Sequence, residues 1–157
     1  MSNKQLVIDY DDYNSASEMS PEDQELVKEA LEARHSSYSP YSHFQVGAAL
    51  RLEDGTIVRG ANQENNAYPS GLCAERTALF AAGVSHPGVP CDTIAVVAAN
   101  NGVLLDKPAT PCGSCRQVMA EYQRKSGKPL KVILVGQKRI HKFWKVDDLL
   151  PFIFDSI

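Results

Sequence analysis

The sequence predicts an α/β fold: a three-layer α-β-α sandwich around a mixed five-stranded sheet. Three observations predict it. Two continuous apolar runs, Thr93 to Ala99 and Leu130 to Val135, read as strands buried on both faces. Phe44 to Leu52 and Thr56 to Ala61 flank Asp54-Gly55 and read as a hairpin. Segments with helical spacing are interleaved with these strands, so helices should cover both faces of the sheet.

The elements follow in order. Residues 1–19 read as a flexible acidic N-terminal extension, and residues 20–157 as one domain. Ser20-Pro21-Glu22-Asp23 is a helix start, with Ser at the N-cap and Pro at the first helical position. Leu26, Val27, Ala30 and Leu31 recur at helical spacing, which carries the helix to about Arg34. His35 to His43 is a loop before the hairpin. Residues 62–72 form a second loop, with Pro69 and Gly71. Cys73 to Ala82 is Ala-rich and helical, ended by Gly83. After the first buried strand comes a loop with Pro108 and Pro111, then a helix from Cys112 to about Lys125. Gly136-Gln137-Lys138 turns the chain from the second buried strand into a fifth strand, Arg139 to Lys145.

Composition bounds the function. At 157 residues, 43% hydrophobic and 22% charged, the chain is ordinary for a globular domain. A net charge of −3 argues against general nucleic-acid binding. The N-terminus lacks the basic lead-in and apolar core of a secretion signal, and no apolar run approaches a membrane span. The expectation is a cytoplasmic protein with no membrane partner. In a reducing compartment, Cys73, Cys91, Cys112 and Cys115 point to metal or catalysis rather than disulfides. Charge is uneven: residues 1–32 carry nine acids against Lys4 and Lys28, and residues 121–145 carry eight basic residues against Glu121. Solvated faces explain this, and a basic rim at an interface is the alternative.

The chemistry concentrates at two helix starts, Cys73-Ala74-Glu75-Arg76 and Pro111-Cys112-Gly113-Ser114-Cys115-Arg116. Peptide dipoles at a helix N-terminus acidify a thiol, and the thiolate is the form that binds zinc. Cys112 and Cys115 are one helical turn apart, on one side. Cys73 joins them if the two helices lie side by side. Three sulfurs leave one tetrahedral zinc position open for water, whose pKa then drops to roughly 7. Glu75, two residues from Cys73, can sit beside that position and move protons. Arg76 can offset the negative charge by hydrogen bonding to the thiolates. The spacing also admits a structural zinc clip that recruits Cys91, or a Cys112/Cys115 redox dithiol. Cys91, ahead of a buried strand, fits a packed free thiol better.

These two motifs together resemble the small cytidine deaminases of nucleoside salvage. Three more matches lie in the same register: Tyr41-Ser42-His43-Phe44-Gln45-Val46-Gly47-Ala48, Asn62-Gln63-Glu64-Asn65, and Leu149-Leu150-Pro151 with Phe154 beyond. The resemblance covers about residues 21–154. It implies hydrolytic deamination of cytidine, and of 2′-deoxycytidine, to the uracil nucleoside and ammonia. One Zn2+ per subunit would be held by Cys73, Cys112 and Cys115, with attack of zinc-bound hydroxide on C4 and Glu75 as proton shuttle. It further implies Arg76 bonded to the ligand sulfurs, Asn62 and Glu64 on the ribose 3′-hydroxyl, and Phe44 against the pyrimidine. Phe154 would reach the base in a neighbouring subunit's site, and Tyr68 would also border the pocket from a neighbour, in a homotetramer whose sites lie at subunit borders. Ordinary core packing is the alternative for Phe44, Tyr68 and Phe154.

Two features depart from the family pattern: the acidic lead-in is long, and residues 138–146 are unusually basic and aromatic. Neither touches the expected site. Rival substrates are an aminonucleoside antibiotic, a nucleotide or a base in RNA. The Asn62/Glu64 segment favours a free nucleoside, and the absence of an added basic motif disfavours a phosphate.

Overall fold

The computed structural model describes residues 1–155. Its strands are β1 (Asp11–Tyr13), β2 (Phe44–Leu52), β3 (Ile57–Ala61), β4 (Cys91–Asn100), β5 (Val103–Leu104), β6 (Lys131–Val135) and β7 (Ile140–Phe143). Its helices are α1 (Pro21–Ala33), α2 (Ala74–Ser85) and α3 (Gly113–Ser126). The strands form one sheet in the order β1-β7-β6-β4-β2-β3, with β5 folded back on β4. Only β4 and β6 are hydrogen-bonded in parallel; the other neighbours are antiparallel.

Strand alternation sorts the core into two layers. On one face Ala49, Ala95, Val97 and Ile133 pack under Leu26, Val27 and Ala30 of α1. On the other, Ala48, Leu50, Ile94, Val96 and Val132 pack under Ala74, Ala78 and Leu79 of α2 and Met119 of α3. The three-layer sandwich is therefore as expected. Two glycines set how closely the layers approach. A Cβ at Gly47 would collide with the Ala30 carbonyl of α1, and one at Gly60 with the Ala74 carbonyl and Ala78 amide of α2.

Three expectations need correction. The sheet has seven strands rather than five, because β1 and β5 are too short to show alternation in sequence. Residues 11–19, read as part of a flexible extension, add β1 to the edge of β7, and Met19 is buried against α1. Gly83 does not end α2, which runs on to Ser85; the Tyr122 hydroxyl of α3 packs where a Cβ at Gly83 would be. The basic segment 138–146 contains β7, within the strand expected over Arg139 to Lys145. There it meets the acidic lead-in through Arg139 on Asp12 and Trp144 on Asp11, and α1 through Lys142 on Asp23. Among the described residues no helix is long and apolar enough to cross a membrane.

Candidate active site

Two helix starts on the same face of the sheet build the site. α2 follows β3 through a loop, and α3 follows the short β5 that folds back on β4. Cys73 is the N-cap residue of α2, in extended backbone, with its sulfur uncommitted to capping. Cys112 caps α3, its sulfur accepting from the Cys115 amide at 3.4 Å. The Cys73 and Cys112 sulfurs lie 3.8 Å apart, and all three lie within 4.8 Å of one another.

This spacing fits a metal. A tetrahedral zinc with Zn–S of about 2.3 Å separates its sulfurs by about 3.8 Å. The chemistry of the donors fits as well. The Arg76 guanidinium donates to the Cys73 sulfur at 3.8 Å. Its Nε is buried without a partner, which leaves a further donor beside the sulfurs. Hydrogen bonds from Cys115, Arg76 and Cys112 hold the Cys73 thiol down to about 5, well below the usual thiol range. Cys91 is elsewhere: it is buried, and burial pushes its thiol up. The clip that would recruit Cys91 is not assembled, and Cys73 beside Cys112 means that Cys112 and Cys115 are not an isolated dithiol.

Glu75 is 4% exposed on the first turn of α2. Burial raises its carboxyl, which suits a group that must both accept and release a proton near neutrality.

Cys73, Cys112, Glu75 and Arg76 line a cavity of about 680 Å³, in the range of small-molecule sites. Its walls carry Phe44 and Val46 from β2, Val96 from β4, and Asn62, Glu64 and Tyr68 from the loop after β3. Phe44 is partly buried at the cavity rather than in either core. Tyr68 is 75% exposed and stands at the rim of this chain's own cavity. Phe154 is 69% exposed and lies away from the cavity, beside Gln117 and Arg124 of α3.

The sequence reading missed Tyr41 and Ser42, whose backbone amides bond the Glu64 carboxylate at 3.0 and 3.3 Å. It also missed the bridging role of Arg116, which donates to the Pro111 carbonyl at 2.9 Å and the Leu149 carbonyl at 2.7 Å, tying the Cys112 loop to the C-terminal segment. Serines and tyrosines in a loop leave no periodic signal; Glu64 lies 22 and 23 residues from Ser42 and Tyr41, and Leu149 lies 33 from Arg116.

The family described as the cytidine and deoxycytidylate deaminase zinc-binding region matches residues 20–127. The cytidine deaminase of Sporosarcina psychrophila is 45% identical over 133 residues, 85% of this chain and 91% of that protein. That of Halalkalibacterium halodurans is 54% identical over 98 residues, 62% and 70% respectively. The crystal structure of cytidine deaminase from Burkholderia pseudomallei superposes with a TM-score of 0.72 at 40% identity, covering 87% of this chain and 100% of that one.

Proposed function

The chain belongs to the cytidine and deoxycytidylate deaminase family of zinc enzymes, and from that premise we propose that it hydrolyses cytidine to uridine and ammonia. The observation that carries the reading is the convergence of three sulfurs and a buried carboxylate at one end of a cavity whose walls hold Phe44, Asn62 and Glu64. In this reading Cys73, Cys112 and Cys115 hold one zinc ion. Bound there, the ion lowers the pKa of a water to about 7 and supplies the nucleophile for C4. Glu75 carries the protons. Its carboxylate takes one from the attacking water and delivers it to N3, then takes the second from the new C4 hydroxyl and passes it to the amino group, which leaves as ammonia as the C4–N bond breaks. One water is consumed per nucleoside. Arg76 keeps the crowded thiolates charged. Phe44 packs on the pyrimidine, and Asn62 and Glu64 take a sugar hydroxyl.

The lining favours a nucleoside over a nucleotide. Among the described residues it offers two carboxylates, Glu64 and Glu75, and one cation, Arg76, already bonded to Cys73. A 5′-phosphate would find no free positive partner there. 2′-Deoxycytidine fits the same clamp if the 3′-hydroxyl is the one held. The exposed Phe154, turned away from its own cavity, supports a homotetramer in which it reaches a neighbour's site. Three thiols that must stay reduced suit a cytoplasmic enzyme of pyrimidine salvage.

The test is direct. Zinc-loaded protein is mixed with cytidine, and uridine and ammonia are measured together. They should appear in equal amounts, with cytidine 5′-monophosphate turned over far more slowly. No product from a folded, zinc-replete sample overturns the reading; faster turnover of the monophosphate would make it a nucleotide deaminase.

A further inference from the structure

We infer that Ser42 is a positioning residue for the sugar clamp, setting Glu64 so that the clamp accepts a single hydroxyl. The inference rests on the reading of Asn62 and Glu64 as sugar-binding residues, and begins from their hydrogen bonds. The Asn62 carbonyl oxygen accepts from the Val46 amide at 2.8 Å and from the Ser37 hydroxyl at 2.5 Å, which uses both lone pairs. One N–H of its amide goes to the Phe44 carbonyl at 2.8 Å. A single N–H remains. On Glu64, Oε2 accepts from the Tyr41 and Ser42 amides, and Oε1 accepts from the Ser42 hydroxyl. One acceptor site remains on Oε1. Both side chains line the cavity. The clamp therefore presents one free donor and one free acceptor, the complement of one hydroxyl group.

Ser42 is the pivot of this arrangement. Its hydroxyl donates to Glu64 and accepts from the Phe44 amide at 3.0 Å, so it connects the sugar carboxylate to the residue that packs on the base. The Ser42 hydroxyl, foremost, and the Tyr41 and Ser42 amides hold the Glu64 carboxyl below its usual range, which keeps it an acceptor. The loop is held in this shape at a cost. His43, next in the chain, has φ of +55°, a region that non-glycine residues rarely occupy. Its amide bonds to the Ser39 carbonyl and its carbonyl to the Asn101 amide, which fixes the turn.

The experiment compares cytidine with 3′-deoxycytidine in zinc-loaded protein carrying Ser42→Ala or Ser42→Thr. Wild type should prefer cytidine strongly. Ser42→Ala should lower kcat/KM for cytidine about tenfold while changing 3′-deoxycytidine less than twofold, because the misplaced acceptor no longer matters when the hydroxyl is gone. Ser42→Thr should restore most of the loss. Zinc content and melting temperature should match wild type in both variants. Equal losses on the two substrates would make Ser42 merely structural and overturn the inference, as would no loss on either. If wild type itself fails to distinguish the substrates, the sugar reading of Glu64 falls and takes this inference with it, while deamination of cytidine stands.

Discussion

Glu75 separates metal binding from proton transfer. Its carboxylate is buried beside the sulfurs but does not belong to their cluster. Glu75→Ala should keep stoichiometric zinc and lose nearly all turnover; metal analysis with a uridine assay checks both, and full activity would remove Glu75 from the chemistry. Cys112→Ser should lose zinc as well, because only two of the three sulfurs then remain. The sequence made these residues legible because their spacing is short: two residues link Cys73 to Glu75, and one helical turn links Cys112 to Cys115. Tyr68 was legible as a pocket residue, and it lines the cavity. Ser37 and Ser42 were not legible at all. Each acts on a residue 22 to 25 positions away, and only the folded loops bring the pairs together.

The position of α2 depends on the close approach of helix and strand at Gly60. Gly60→Ala would push a methyl into backbone atoms of the helix's first two turns, which cannot swing aside as a flexible side chain could. The expected cost is about 1–3 kcal/mol. Because Cys73 caps that helix, the variant should also bind zinc more weakly; thermal melting and a competing chelator measure the two effects. At the other end of the sheet, removal of residues 1–13 would strip β1 from β7. It should lower the melting temperature modestly, since the ion pairs that go with β1 are exposed and worth about 0–1 kcal/mol each. No residue before Tyr41 lines the cavity, so kcat/KM should stay within about twofold. Trp144 is the sole tryptophan and donates to Asp11, so its fluorescence reports the removal of β1. Apart from α2, which runs three residues past its expected end, the long elements were legible to within a residue or two: Ser20 caps α1 as expected and β2 has the expected bounds. β1 was not, because three residues hold no period and its partner lies at the opposite end of the chain.

Across the whole molecule, one ion network joins elements distant in sequence. Asp23 of α1, at the sheet's α1 face, meets Lys142 of β7 and Arg51 of β2; Arg51 also meets Asp92 of β4, which bonds to Lys131 of β6. Burial alone would raise both aspartates. For Asp23 the hydrogen bonds and charges of Lys142 and Arg51 outweigh it and lower the carboxyl. For Asp92, Thr93, Lys131 and Arg51 outweigh it and hold the carboxyl at about 2. A carboxylate depressed in the folded state adds stability at any pH above its unfolded value near 4, and loses it as pH falls toward the folded value. For Asp92 that window runs from about pH 4 to about pH 2, and the contribution is about 2 kcal/mol. Zinc is also released in acid as thiolates protonate, so a wild-type melting curve mixes two effects. Asp92→Asn separates them. It keeps the three sulfurs, removes the titrating group, and should melt below wild type at pH 7 with the difference shrinking as pH falls through 4 toward 2. A difference that stays constant over that range would mean that Asp92 stabilises the sheet through shape rather than charge.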